Sequence, residues 1–223
     1  MDFMKWLNSL DELLYEVISW LVFYPLTLGR TLLSPIAAMN YADSQLDLPQ
    51  EDQYKAALSP PLFLALTLLI AHLAATAAGE ADRLIADRRG LANMINDDSS
   101  ALVFRLLVFS VFPLLMSLHY VWRRRVPLDR ETLQLPFYAQ CYPAAIFALG
   151  LSVGTILVGL KGDANALAGA AIMLLAIFYY LLVEARWFAI QFGTSLLRGG
   201  VTALVVIIEG LVILFGAGLL LET

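Results

Sequence analysis

Five apolar segments, each long enough to cross a lipid bilayer, constrain this chain of 223 residues more than any other feature. An α-helix rises about 1.5 Å per residue, so roughly 20 apolar residues cross about 30 Å of hydrocarbon. The chain is 60% hydrophobic and only 15% charged, which does not suit a soluble domain. The sequence therefore predicts an all-α, polytopic membrane helix bundle with five transmembrane helices. The predicted spans cover residues 60–78, 101–122, 136–160, 164–183 and 201–221.

The N-terminal region predicts a different kind of helix. Apolar residues recur there at three- and four-residue steps from Phe3 to Leu21, while Lys5, Asp11 and Glu16 take the other face. This pattern is typical of an amphipathic helix that lies in the membrane interface. A sixth span over residues 13–38 is the alternative, and it would have to hold two charged residues and two prolines at membrane depth.

These patterns divide the chain into an N-terminal region, residues 1–58, and a transmembrane bundle, residues 59–223. A polar, acidic linker is predicted over residues 40–54, and a polar loop with a short helix around residues 81–95 joins the first two spans. Glu184 and Arg186 follow the fourth predicted span directly, which indicates a short interfacial turn.

The distribution of basic residues predicts the orientation in the membrane. Five spans place nine Lys and Arg residues on one side and four on the other, which points the N-terminus to the cytoplasm and the C-terminus outside. Arg123, Arg124 and Arg125 dominate the richer side, so we interpret them as a topology anchor that can touch anionic lipid. Short loops and the lack of a recognisable signal peptide favour a bacterial inner membrane.

Composition argues against most cofactor chemistry. The net charge of −5 makes nucleic acid an unexpected partner. Cys141 is the only cysteine, which excludes an internal disulfide, and together with two histidines it supplies too few ligands for a zinc, haem or iron–sulfur site. We therefore expect no cofactor, no metal and a bundle that is not an enzyme.

Glu209 is the most informative residue, because it lies near the middle of the fifth predicted span. A carboxylate at that depth is expensive to ionise, so intramembrane acidic residues are candidates for ion or proton paths. His72 and Arg105 are the other polar residues at some depth and could join Glu209 in such a path. The alternative is structural: a protonated Glu209 bonded to a neighbouring helix, a hydrogen-bonding His72, and an Arg105 that extends to the interface.

Small residues at four-residue spacing predict close helix packing. Gly150 and Gly154 form a G-x-x-x-G face, and Ala71, Ala75 and Gly79 form a similar face in the first span. Such faces serve packing within one bundle or a seam between identical chains. The segment around Ser152 also fits the hydrolase motif G-x-S-x-G, but that motif requires a strand, a turn and a helix, whereas Ser152 lies in a long apolar run.

The segment ALSPPLFLALTLLIAH, residues 57–72, resembles the SP-x-x-F entry into the first span of bacterial Yip-like and "predicted permease" proteins. A cytoplasmic N-terminal region before five closely spaced spans resembles the same group. The DLYGP signature of the eukaryotic branch is absent. The resemblance implies a bundle that is not an enzyme and assigns no site residues.

Three functions compete at this point. The first is a small channel or permease that moves an ion, a proton or a small solute, with Glu209 in its path and several copies in the membrane. The second is a Yip-like scaffold or regulatory protein that binds an unidentified protein through its N-terminal region. The third is an intramembrane hydrolase that uses Ser152, and it lacks a histidine in a recognisable motif.

Overall fold

The computed structural model describes residues 2–79 and 98–220, and all regular structure in these residues is helical. The short helix expected over residues 81–95 lies outside this part of the chain. Helices α3 to α7 are long and apolar enough to cross a membrane, so the all-α bundle with five spans is confirmed. The described helices are α1 (Asp2–Leu33), α2 (Pro35–Leu46), α3 (Pro60–Ala77), α4 (Asp98–Arg124), α5 (Arg130–Gly159), α6 (Asp163–Phe192) and α7 (Leu196–Leu220).

Helix α5 is the centre of the bundle, and α1, α2, α3, α4 and α6 all pack against it. Every residue from Ala139 to Ala148 is buried, so this stretch of α5 is covered on all sides. The helix begins at Arg130, six residues before the predicted start. Asp129 explains the difference, because its side chain accepts a hydrogen bond from the backbone N–H of Thr132 while the Thr132 hydroxyl accepts one from the backbone N–H of Asp129.

The most extensive contact in the bundle joins α5 to α6. Gly150 and Gly154 lie on this contact, where a Cβ atom added to Gly154 would come within 2.9 Å of the Gly169 carbonyl oxygen. A Cβ atom added to Gly199 of α7 would meet the Ala185 carbonyl oxygen of α6 at 2.1 Å. The backbones therefore approach more closely than a larger residue would permit at these positions.

Helix α2 occupies part of the segment predicted as a linker. Residues 40–46 are helical because Met39 and Ala42 are buried where α2 packs on α5, so the linker prediction is wrong for these residues. The irregular connection begins at Asp47 and contains a single 3₁₀ turn, Gln50–Asp52. Asp43 lies on the same helix, partly buried, with its Oδ1 atom unpaired among the described residues.

Helix α1 is not among the five apolar helices, and it ends at Leu33 before α2 begins at Pro35. Residues 13–38 therefore do not form one continuous helix. The C-terminal part of α1 packs on the bundle, where the Tyr24 hydroxyl lies 3.2 Å from Thr67 Oγ1 and its ring lies 5.5 Å from that of Phe63. Apolar side chains such as Leu13, Val17 and Leu21 are exposed.

Gly154→Ile should destabilise the bundle by about 1–3 kcal/mol, because the added side chain collides with the backbone of α6. Gly216→Ile is the matched control, since a Cβ atom there has no neighbour within 4 Å. Thermal unfolding in detergent, monitored by size-exclusion chromatography, measures the stability of both variants. Equal losses in the two variants would contradict close packing at Gly154.

Asp43 should make the docking of α2 sensitive to pH. Partial burial, and secondarily the nearby Asp47 carboxylate, raise the pKa of Asp43 to about 7. The folded state then holds a proton that the unfolded chain releases near pH 4. The contribution of Asp43 to the free energy of unfolding is therefore full below about pH 4 and is lost as the pH rises through about 7. Asp43→Asn should flatten this part of the dependence of Tm on pH between 5 and 8. Parallel curves of Tm against pH for the native chain and the variant would contradict this role of Asp43.

Candidate functional site

Glu184 is the acidic residue that the bundle buries most deeply among the described side chains. It is 0% exposed, and neither carboxyl oxygen has a hydrogen-bond partner in the described part of the chain. The prediction of an interfacial turn at Glu184 and Arg186 is wrong, because α6 continues to Phe192 and ends at Gly193 in the left-handed conformation. Burial of Val183, Trp187 and Phe188 extends the packed face of α6 through this segment.

Three other polar side chains surround Glu184 in the interior. Gln140 of α5 lies beside the Glu184 carboxyl group without forming a hydrogen bond of standard geometry. Tyr180 precedes Glu184 by one helical turn and interacts with it electrostatically, and Trp187 follows three residues later. All three are at most 1% exposed, and each carries a polar atom that no described residue satisfies. We call Gln140, Tyr180, Glu184 and Trp187 the Glu184 cluster.

Aromatic rings enclose the Glu184 cluster. The Phe147 ring of α5 stacks on Tyr180 with centroids 4.7 Å apart, and the Phe112 ring of α4 meets Tyr180 edge-on at 6.5 Å. The Tyr120 ring of α4 lies 5.2 Å from the Trp187 ring. These contacts fix the two side chains that flank Glu184 and exclude much of the solvent from the carboxyl group.

The chemistry of the Glu184 cluster follows from its composition. An ionised carboxylate without a partner is costly to bury, so Glu184 must be neutral or be balanced by a donor or a cation. The amide of Gln140, the phenol of Tyr180 and the indole of Trp187 can each donate a hydrogen bond, and the first two can also accept one. The cluster can therefore hold a proton or coordinate a small cation.

The three residues predicted for an ion path do not share one site. Glu209 is exposed on the outer surface of α7, and its electrostatic partner among the described residues is His119 of α4. His72 is buried on α3, which packs mainly against α5. Arg105 is partly buried near the start of α4.

Of the small residues predicted for close helix packing, four lie within the packed bundle and one lies in open space. Gly150 and Gly154 lie between α5 and α6, and Ala71 and Ala75 are buried on α3. Gly79 follows the end of α3 with a φ of +73°, and a Cβ atom there would meet nothing within 4 Å.

Two arginines of the predicted topology anchor also connect helices. Arg123 donates a hydrogen bond to the Thr202 hydroxyl of α7 at 2.9 Å, and its guanidinium group lies 4.5 Å from the centre of the Phe192 ring. Arg124 donates to the Gln191 carbonyl oxygen at 3.1 Å. Arg125 is exposed just after the end of α4. The first two arginines therefore fasten α4 to α6 and α7, which the count of charges did not reveal.

Ser152 is buried within the continuous helix α5. The strand, sharp turn and helix of a hydrolase elbow are not formed around it.

Sequence reasoning missed Glu184 and Gln140 as site residues. The available signal was helical spacing, because Tyr180, Glu184, Trp187 and Phe188 recur at three- and four-residue steps across the predicted end of the span. Gln140 carried no comparable signal, since a single amide in an apolar segment has no characteristic spacing.

Comparison with protein-family models, with curated proteins and with solved structures finds no match. The fold itself defines the class. Five helices that are long and apolar enough to cross a membrane make this an integral, multi-pass membrane protein.

Charge reversal should reduce stability much more at the buried Glu184 than at the exposed Arg186. Glu184→Lys places a cation without a carboxylate partner in the bundle interior and should cost about 3–5 kcal/mol. Arg186→Glu is the matched control on the same helix, because Arg186 is exposed and its reversal should change stability by less than about 0.5 kcal/mol. The recovery of monodisperse protein and its unfolding temperature report both effects. Similar behaviour of the two variants would contradict the burial of Glu184.

Proposed function

We propose that the protein moves a proton, an ion or a small solute across the membrane, and that Glu184 binds the proton or cation involved. The observation that carries this proposal is a fully buried carboxyl group between two spanning helices. Like its polar neighbours, this group has atoms that no residue in the described part of the chain satisfies. Ionisable residues within a membrane mark ion pathways and proton relays more often than they serve structure alone.

The geometry favours Glu184 over Glu209 for a path through one chain. Glu184 faces the helix that forms the centre of the bundle, whereas Glu209 lies on the outside of α7. Glu209 would take part only if a second copy or another protein covered that surface. His72 and Arg105 lie on α3 and α4 and are secondary candidates for the same path.

The setting of this function remains the one that the sequence predicts. Arg123, Arg124 and Arg125 lie at the same end of the bundle as the start of α5. By the preference of basic loops for the cytoplasm, that end faces inwards in a bacterial inner membrane. The C-terminus then lies outside.

The second candidate function is a scaffold that does not transport. The exposed apolar side chains of α1 around Leu13, Val17 and Leu21 favour it, because such a row suits contact with lipid or a partner protein. The resemblance to Yip-like proteins supports the same function. Replacement of these three residues by serine should abolish binding of a partner while leaving the bundle folded.

Glu184→Gln should abolish or flatten pH-dependent flux while leaving the bundle folded, because glutamine keeps the shape and hydrogen-bonding capacity of glutamate but cannot exchange a proton at neutral pH. The measurement is ion and proton flux into liposomes that contain the purified chain, across a range of pH.

Glu209→Gln makes the same chemical change on an exposed surface and should retain flux. Empty liposomes give the background, and size-exclusion chromatography verifies that both variants are folded. Native flux from Glu184→Gln, or loss confined to Glu209→Gln, would reject Glu184 as the site. Absence of flux from well-folded native chain, together with a stoichiometric partner that needs the exposed face of α1, would favour the scaffold.

A further inference from the structure

A cavity of about 480 Å³ lies in the bend between α1 and α2. Its walls come from the end of α1, the beginning of α2, Ala57 and the Tyr142 side chain of α5. None of the residues of the Glu184 cluster lines it. Its volume is within the range of about 300–1,000 Å³ that is usual for small-molecule sites.

Small residues at the bend create this space. The backbone turns at Ser34, and Pro35 then begins α2, so the two helices diverge. Gly29, Ala37 and Ala38 face the space between them, and a Cβ atom added to Gly29 would meet nothing within 4 Å. The cavity is therefore a feature of the helix bend and not a gap between loosely packed spans.

The polar groups of the cavity are few and specific. Arg30 is the only charged residue among the described residues that line it. One of its N–H groups donates to the Ala56 carbonyl oxygen at 2.7 Å, and a guanidinium group has five N–H donors. Thr31 is 0% exposed, and its hydroxyl has no partner among the described residues.

Two of the other hydroxyl groups that line the cavity hold its walls together. The Thr27 hydroxyl accepts a hydrogen bond from the Leu58 N–H at 3.1 Å, and the Tyr142 hydroxyl donates to the Leu58 carbonyl oxygen at 2.8 Å. Both bonds place the cavity beside Leu58, which lies two positions before the start of α3. The cavity thus lies near the end of a spanning helix, where the headgroups of lipids meet their acyl chains.

We propose that this cavity binds an anionic amphiphile, with its carboxylate or phosphate on Arg30 and its acyl chain against Gly29, Ala37 and Ala38. Arginine matches carboxylate and phosphate oxygens through paired N–H donors. This binding site is independent of the proposed transport function.

The test measures binding of three probes to the purified full chain in a neutral detergent: oleate, phosphatidylglycerol and inorganic phosphate. Native mass spectrometry or radiolabelled ligand gives the dissociation constant for each. We expect oleate or phosphatidylglycerol to bind, and the tighter of the two identifies the headgroup as carboxylate or phosphate. Inorganic phosphate should bind at least about tenfold more weakly, because it lacks the acyl chain. Equal binding of inorganic phosphate would overturn the proposal.

Two variants separate the headgroup contact from the chain contact. Arg30→Gln should weaken binding of the anionic amphiphile by about tenfold or more, because a charged hydrogen bond is lost. Gly29→Leu should also weaken binding by about tenfold or more, because the leucine side chain fills the cavity. This variant should fold, because leucine is a good helix former and a Cβ atom at position 29 meets nothing within 4 Å. Arg198→Gln, an exposed position on α7, should bind as the native chain does.

Binding of methyl oleate as tight as that of oleate would show that Arg30 does not recognise charge and would overturn the proposal. Native affinity in both Arg30→Gln and Gly29→Leu would overturn it as well. If Arg198→Gln lost as much binding as Arg30→Gln, the headgroup contact could not be assigned to Arg30, and the proposal would be overturned.

Discussion

The close approach of α5 and α6 determines where most of the bundle lies. Within a membrane, lipid tails are as apolar as side chains, so helices associate through close packing and hydrogen bonds rather than through exclusion of water. Gly150 and Gly154 on α5 and Gly169 on α6 permit that approach. The same contact continues along both helices to Gln140 and Glu184, so the two polar side chains meet because the glycines set the register and separation of the helices.

This arrangement combines tight packing with incomplete hydrogen bonding. Small side chains and stacked aromatic rings leave little room around Glu184, yet the four polar side chains of its cluster retain atoms that no described residue pairs with. A purely structural core would gain stability by replacing such groups with apolar ones. Natural sequences tend to keep local conflicts of this kind at functional sites.

The sequence was sufficient to predict the spans, because the transfer of a segment into lipid depends on its own length and composition. It was not sufficient to predict which face of a span points inwards. After Thr202, helix α7 is apolar all round except at Glu209, so its own pattern does not show that Glu209 lies outside. Glu184 was misplaced for a different reason. The polar residues Glu184 and Arg186 resemble a turn, and this local polarity outweighed the helical spacing that continues through them. Burial of Met39 and Ala42 against α5 likewise makes residues 40–46 helical despite their polar composition.

The helices of the bundle differ considerably in length. Helix α3 has 18 residues and α5 and α6 have 30 each, which corresponds to about 27 Å and about 45 Å. The hydrogen bond from Tyr142 to Leu58 aligns the start of α3 with a point well inside α5. The hydrophobic height of the protein is therefore uneven around its circumference. A bilayer must thin beside α3, or the long helices must tilt. This mismatch couples the tilt of the bundle to the thickness of the surrounding membrane.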